Sequence, residues 1–220
     1  MLNLPKSTEY GKRIPKESFY QHLAISPKVK NAFVDEIKTI IWQNKLAPNT
    51  INIPKGPAVE EIQVFAINLK KADLSEDVLR VIDSQIPYFI VYVLCYSDKY
   101  KLCAGYKEGI KTGKYSVKAY YHTDWLDKEQ ANLVIKGLNL DEGYSDFILQ
   151  IGKGVLLTAK EPENIADVIN KTELVKRLEV ELEALTKKQY REEQPKKQYE
   201  IHQKILELAS KLEVIRNGKA

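Results

Sequence analysis

The segment YFIVYVLCY, residues 88–96, is the strongest indication of the fold of this chain. It is the longest apolar run in the chain, and it is rich in β-branched and aromatic residues, which favour strands. The turn residues Ser97-Asp98-Lys99 end it after nine positions, far short of the ~20 residues that a membrane-spanning helix needs. A strand that is apolar on both faces is typical of the centre of a sheet covered on two sides.

The flanking sequence predicts further elements of one α+β domain. Strands are predicted at residues 60–69, 100–107 and 116–122, and the strand at 100–107 is predicted to be the antiparallel partner of the central strand. Apolar residues at helical spacing predict helices over 27–45, 74–85 and from Leu140 to Ile151, and residues 1–26 are predicted to form an extended polar arm. This order predicts a mostly antiparallel or mixed sheet of about four strands packed with helices.

The last quarter of the chain carries two coiled-coil seams. They consist of Val175, Leu178, Leu182 and Leu185, and of Ile201, Ile205, Leu208, Leu212 and Ile215. The seams are out of phase, and the segment between them lacks apolar residues and contains Pro195. We therefore expect two antiparallel helices, a hairpin with its tip near 191–197.

The charge distribution supports a division into an α+β domain at 1–160 and a helical hairpin at 161–220. The whole chain of 220 residues has 34 basic and 30 acidic side chains, a formal net charge of +4. Residues 161–220 contain 12 of each, so the surplus belongs to the first 160 residues. A neutral helix pair with alternating charge usually serves protein contacts.

A run rich in lysine and tyrosine follows the central strand and is a candidate nucleic-acid surface. Lysines contact phosphates and tyrosines stack on bases. The candidates are Lys99, Tyr100, Lys101, Tyr106, Lys107, Lys111, Lys114, Tyr115 and Lys118. The alternative is a solvated hairpin whose lysines protect a sheet edge from aggregation.

A polar cluster of unknown role comes next, formed by Tyr120, Tyr121, His122, Asp124 and Trp125. His122 and Asp124 could form an oriented general base, although no partner nucleophile is visible. The alternative is structural, with Thr123 or Asp124 capping a turn and Trp125 filling the core.

Other sequence features exclude several classes of protein. The chain has no phosphate-binding loop, no dinucleotide-binding glycine motif and no G-x-S-x-G motif. The three histidines lie far apart, so we expect no metal site, and we expect no cofactor. Cys95 and Cys103 are expected to be reduced core thiols, and the chain is expected to be cytoplasmic because no signal-peptide-like run occurs near its start.

Several motifs resemble the bacterial and archaeal family called domain of unknown function 4391. They include LPKST at 4–8, KRIPK at 12–16, WQNKLAPNTIN at 42–52, Ile86-Pro87-Tyr88 and YYHTDW at 120–125. The resemblance covers nearly the whole chain but implies no catalytic residues. It implies a setting near DNA methyltransferases and helicases of restriction-modification or phage-defence clusters.

Three hypotheses follow. The first is a non-enzymatic accessory subunit of a DNA-modification, restriction or defence assembly, whose hairpin docks a protein partner, for example a helicase or DNA methyltransferase, or a second copy. The second is a module that binds DNA or RNA through the lysine- and tyrosine-rich hairpin. The third is a nuclease-like enzyme at His122 and Asp124.

Overall fold

The apolar run at 88–96 lies near the centre of a six-stranded sheet in a computed structural model, which describes residues 2–21, 23–109, 115–157 and 164–217. The strands follow chain order in space. They are β1 (Glu9–Ile14), β2 (Ile37–Leu46), β3 (Ile62–Leu69), β4 (Phe89–Tyr96), β5 (Lys99–Gly109) and β6 (Tyr115–His122). All neighbours are antiparallel except β3 and β4, which are parallel. The predicted α+β class is confirmed, but the prediction of about four strands is wrong.

The described residues also contain six helices. They are α1 (Pro27–Glu36), α2 (Pro48–Ile51), α3 (Glu76–Gln85), α4 (Leu140–Ile151), α5 (Ile165–Arg191) and α6 (Pro195–Asn217). Helix α3 makes the crossover that parallel strands require between β3 and β4.

The first missed strand is β2, because the predicted helix over 27–45 ends at Glu36. Helix α1 begins at its N-cap Ser26, as the sequence indicates, but the chain then continues as a strand. The amines of Lys16 and Lys70 donate hydrogen bonds to carbonyls at the end of α1, including that of Val34. These carbonyls have no partner within the helix. Tertiary contacts therefore stabilise the end of α1 at Glu36, a position that the spacing of the apolar residues does not indicate.

The second missed strand is β1, which lies in the predicted polar arm. It forms an edge strand on β2, and its register shifts between Glu9 and Lys12, around Gly11 with a φ of +65°. The ring of Tyr10 lies 4.1 Å from that of Trp42 on the neighbouring strand. The arm is thus held by edge pairing and aromatic contact, neither of which produces an apolar periodicity.

The two faces of the sheet are covered by different elements. Alternate side chains of β4, including Ile90 and Tyr92, join α1 and α3 in one buried cluster. On the opposite face Phe89 contacts the ring of Tyr144 in α4, centroid to centroid at 4.9 Å. The phenolic hydroxyl of Tyr144 donates to the carbonyls of Ile90 and Gly105, so α4 is fixed to the backbone of β4 and β5.

The chain divides into two compact units, residues 1–154 and 155–220. In the second unit α5 and α6 pack together, joined by residues 192–194. The pair is antiparallel, since Arg216 near the end of α6 contacts Glu179 of α5. Among the described residues, no helix combines the length and the apolar character that a membrane crossing requires.

Candidate functional site

The first candidate site is a cavity on the α3 face of the sheet, which we call the Tyr120 cavity. It has a volume of about 220 Å³, and its polar lining consists of Asp73, Glu76, Lys101 and His122. Its apolar lining consists of Ala72, Leu74, Leu79, Leu94, Cys103, Tyr120 and Trp125. The cavity therefore brings three members of the predicted polar cluster together with one lysine of the predicted nucleic-acid surface.

A buried charge network lies behind the wall of this cavity. The carboxylate of Asp83 accepts hydrogen bonds from the hydroxyls of Tyr120 at 2.5 Å and Tyr92 at 2.9 Å. Its other oxygen lies 2.8 Å from the amine of Lys107, and both charged side chains are only 4% exposed. The amine of Lys107 also donates to the carbonyl of Tyr88. This ion pair joins α3 to β5 inside the domain.

Both titratable groups in the buried wall of the cavity are held in their protonated forms. Burial, followed by the charge of Asp83, raises the pKa of the Tyr120 hydroxyl well above its ordinary value. Burial likewise raises the pKa of the Cys103 thiol. A thiol attacks as its thiolate, so Cys103 is poorly suited to nucleophilic chemistry at neutral pH.

The remaining members of the polar cluster lie elsewhere. Tyr121 is buried, whereas Asp124 is exposed and is not part of the cavity lining. Within the described residues, no hydrogen bond joins His122 to Asp124. The hydroxyl of Thr123 accepts from the amide of Leu102 and donates to the carbonyl of Asp124, as a local structural link.

The predicted lysine and tyrosine surface is divided in the structure. Lys107 is buried in its pair with Asp83, so its amine is not available to a phosphate. Lys99 pairs with Asp127 at 2.7 Å and Lys118 with Glu108 at 3.4 Å. Lys111 and Lys114 fall outside the described residues. The other candidates are Tyr100 and Lys101, both partly buried, Tyr115, whose ring contacts Phe89, and Tyr106.

Asp83 is a buried acid that is not among the site residues predicted from the sequence. A signal for it exists: it stands four residues after Leu79 and three before Ile86, so it lies on the apolar side of α3. An acid at such a position is rarely buried without a partner. The partner Lys107 could not be found in the same way, because the pairing depends on the register of β5.

The second candidate site is the helix pair. The seam residues Val175, Ile201, Leu208 and Leu212 are buried. The others are only partly buried, namely Leu178, Leu182, Leu185, Ile205 and Ile215. An open groove of about 360 Å³, which we call the Leu182 groove, is lined by Leu182, Ala209, Leu212, Glu213 and Arg216. The two helices thus leave part of their apolar seam accessible.

Within the part of the chain that the structure describes, no group of three or more histidine, cysteine, aspartate or glutamate side chains is arranged to hold a metal ion.

The family model described as "Domain of unknown function (DUF4391)" matches residues 2–212. No curated protein and no solved structure matches the chain.

Proposed function

We propose that this chain, which belongs to the DUF4391 family, is a non-enzymatic interaction subunit that pairs with a second copy through α5 and α6. The description of the family gives no activity, so the proposal is argued from the geometry of the two helices. The observation that carries the proposal is the incomplete burial of the seam, above all in the Leu182 groove.

A two-helix pair has one interface and a small core of its own. Most helical stability in proteins comes from packing an amphipathic face, and four helices enclose a core that two leave open. A second helix pair docked on the Leu182 groove would cover Leu182 and the exposed Ala209. This burial favours association.

Charge supports a second copy as the occupant. Residues 161–220 hold 12 basic and 12 acidic side chains, so two helix pairs do not repel each other through net charge. In addition, Glu213 and Arg216 border the groove with opposite charges. Arg216 already pairs with Glu179 of its own chain, and a two-fold arrangement can add the Glu213 of the other copy to that pair.

Light scattering coupled to size exclusion on the full chain tests this pairing. We expect a mass about twice the 25.3 kDa of one chain. Ala209→Arg places a charge in the groove at an exposed position and should give the monomer. Val180→Arg makes the same change outside the groove lining, where the side chain is 68% exposed, and should leave the dimer intact. A monomeric wild type at 100 μM, or equal dissociation by both variants, contradicts the proposal.

The wider role proposed for this dimer is that of an accessory subunit in a DNA-modification, restriction or defence assembly. Its support is the setting implied by the family resemblance, which includes DNA methyltransferases and helicases. Mixing the purified chain with a DNA methyltransferase from a restriction-modification cluster of the same genome should give co-elution. Separate elution contradicts the accessory role without affecting the test of the dimer.

A further inference from the structure

We propose that a groove across one end of the sheet binds single-stranded nucleic acid, through a surface that shares only Lys99 and Tyr100 with the lysine- and tyrosine-rich hairpin considered above. The groove consists of two adjoining cavities that share Lys38 and Thr39, and we call it the Lys38 groove. This inference is independent of the pairing of α5 and α6.

The position of the groove follows from the sheet topology. Strands β3 and β4 are parallel, and both end here, at Leu69 and Tyr96. Strand β2 starts here, and β5 begins after a tight turn in which Ser97 and Asp98 have positive φ. Beyond the carboxyl ends of parallel strands the backbone diverges into loops, and ligands commonly bind in the space that this leaves.

The larger cavity has a volume of about 450 Å³ and a mainly polar lining. The side-chain amide of Asn68 donates to the hydroxyl of Thr39 at 2.7 Å, which fixes two polar groups side by side on neighbouring strands. Tyr96 and Tyr100 also line this cavity. Tyrosine rings at a cavity wall can stack on bases of any sequence.

The smaller cavity, of about 270 Å³, extends the groove past β2 to the end of β1. It adds Arg13, Lys16 and Glu17 to the lining. The whole groove therefore touches five neighbouring strands, a width of about 19 Å at ~4.8 Å per strand spacing, which is enough for several nucleotides.

Two cations in this groove have no partner among the described residues. The amine of Lys16 is occupied by backbone carbonyls of α1 and β2, and Lys99 pairs with Asp127. Arg13 and Lys38 are both exposed, and neither makes an ion pair or a side-chain hydrogen bond with another described residue. Unpaired cations along a groove that also holds two tyrosines fit a ligand with repeated negative charges and flat bases.

Fluorescence anisotropy with fluorescein-labelled dT12 and the full chain tests the groove. We expect binding at 50 mM NaCl that weakens at 200 mM. The double variant Arg13→Gln/Lys38→Gln should bind at least tenfold more weakly at 50 mM. It should also lower the slope of log K against log salt by about 1.4, since each phosphate contact on a single strand contributes about 0.7.

The matched control is Lys55→Gln/Lys187→Gln, which removes the same charge from two lysines that each pair with an exposed glutamate outside the groove. This variant should stay within twofold of the wild type. The proposal is overturned if dT12 does not bind at 50 mM NaCl, or if the control loses as much affinity as the groove variant. Equal affinity for labelled polyglutamate or for a 12-base-pair duplex also overturns it.

Discussion

At the residue scale, the centre of the domain is the buried pair of Asp83 and Lys107. Two tyrosine hydroxyls and one backbone carbonyl supply further hydrogen bonds to it, as burial of two charges requires. Removing one partner of such a pair leaves the other charged and buried, which is strongly destabilising. Lys107 belongs to the lysine- and tyrosine-rich run, which the sequence predicts to be exposed to solvent.

Lys107→Met should lower the free energy of unfolding by about 3–5 kcal/mol, because it leaves Asp83 buried without its cation. Urea unfolding followed by circular dichroism measures the change. Lys118→Met is the matched control, since its pair with Glu108 is about half exposed, and it should change stability by less than ~1 kcal/mol. Equal effects of the two substitutions would mean that Lys107 does not form the buried pair.

Because three tyrosines are buried, we expect the free energy of unfolding to fall in alkaline solution. Burial raises the pKa of Tyr92, Tyr120 and Tyr144 above the ordinary value, so the folded chain keeps protons that the unfolded chain releases. Their stabilisation is complete below pH ~10 and is lost as pH rises further, by about 1.4 kcal/mol per pH unit for each tyrosine. Urea unfolding at pH 8 to 11.5 should show this decline, which is smaller in Tyr144→Phe. A free energy of unfolding that stays constant up to pH 11.5 would contradict this prediction.

At the element scale, residues 27–46 show how a periodic pattern can continue through a change of structure. Ile37 and Ile40 are fully buried, as the predicted helix would also require. Yet α1 stops at Glu36, and residues 37–46 pair with β3. A strand with a register shift near Lys38 can bury the same isoleucines that a helix would bury, so the apolar pattern does not distinguish the two structures here.

From the packing of α5 on α6 we expect substitutions at neighbouring apolar positions of α6 to differ strongly in their effect on the free energy of unfolding. Leu212→Ala removes a side chain that is 5% exposed and should lower the free energy of unfolding by about 2–4 kcal/mol. Val214→Ala, at a position that is 46% exposed, should cost less than ~1 kcal/mol. Thermal unfolding followed at 222 nm measures both. A larger effect at Val214 would show that α6 turns a different face to α5.

At the scale of the whole domain of residues 1–154, the loop that joins α2 to β3 is hydrogen-bonded to the start of α4. The carboxylate of Asp141 accepts hydrogen bonds from the amides of Ala58 and Val59, and the carbonyl of Pro54 accepts from the amide of Leu140. A Cβ at Gly56 would lie within 2 Å of an oxygen of Asp141. This close approach explains why glycine stands in the loop that joins α2 to β3.

Gly56→Ala should therefore force Asp141 away from the loop and lower the melting temperature by several degrees, the shift expected for about 1–2 kcal/mol in a domain of this size. Differential scanning calorimetry measures it. Gly154→Ala is the control, because a Cβ there meets no atom within 4 Å. An unchanged melting temperature in Gly56→Ala would mean that the loop can shift without loss.

The α+β class, four of the six strands and the pairing of the last two helices could be predicted from the sequence. Each of these follows from a local apolar period that matches one element: a two-faced run at 88–96, or seams at helical spacing on either side of Pro195. Three further features became apparent in the three-dimensional structure: Lys107 is buried against Asp83, α1 ends at Glu36, and Arg13 and Lys38 border one groove. Those outcomes depend on strand register and on contacts between residues distant in the chain, and neither produces a local periodic signal.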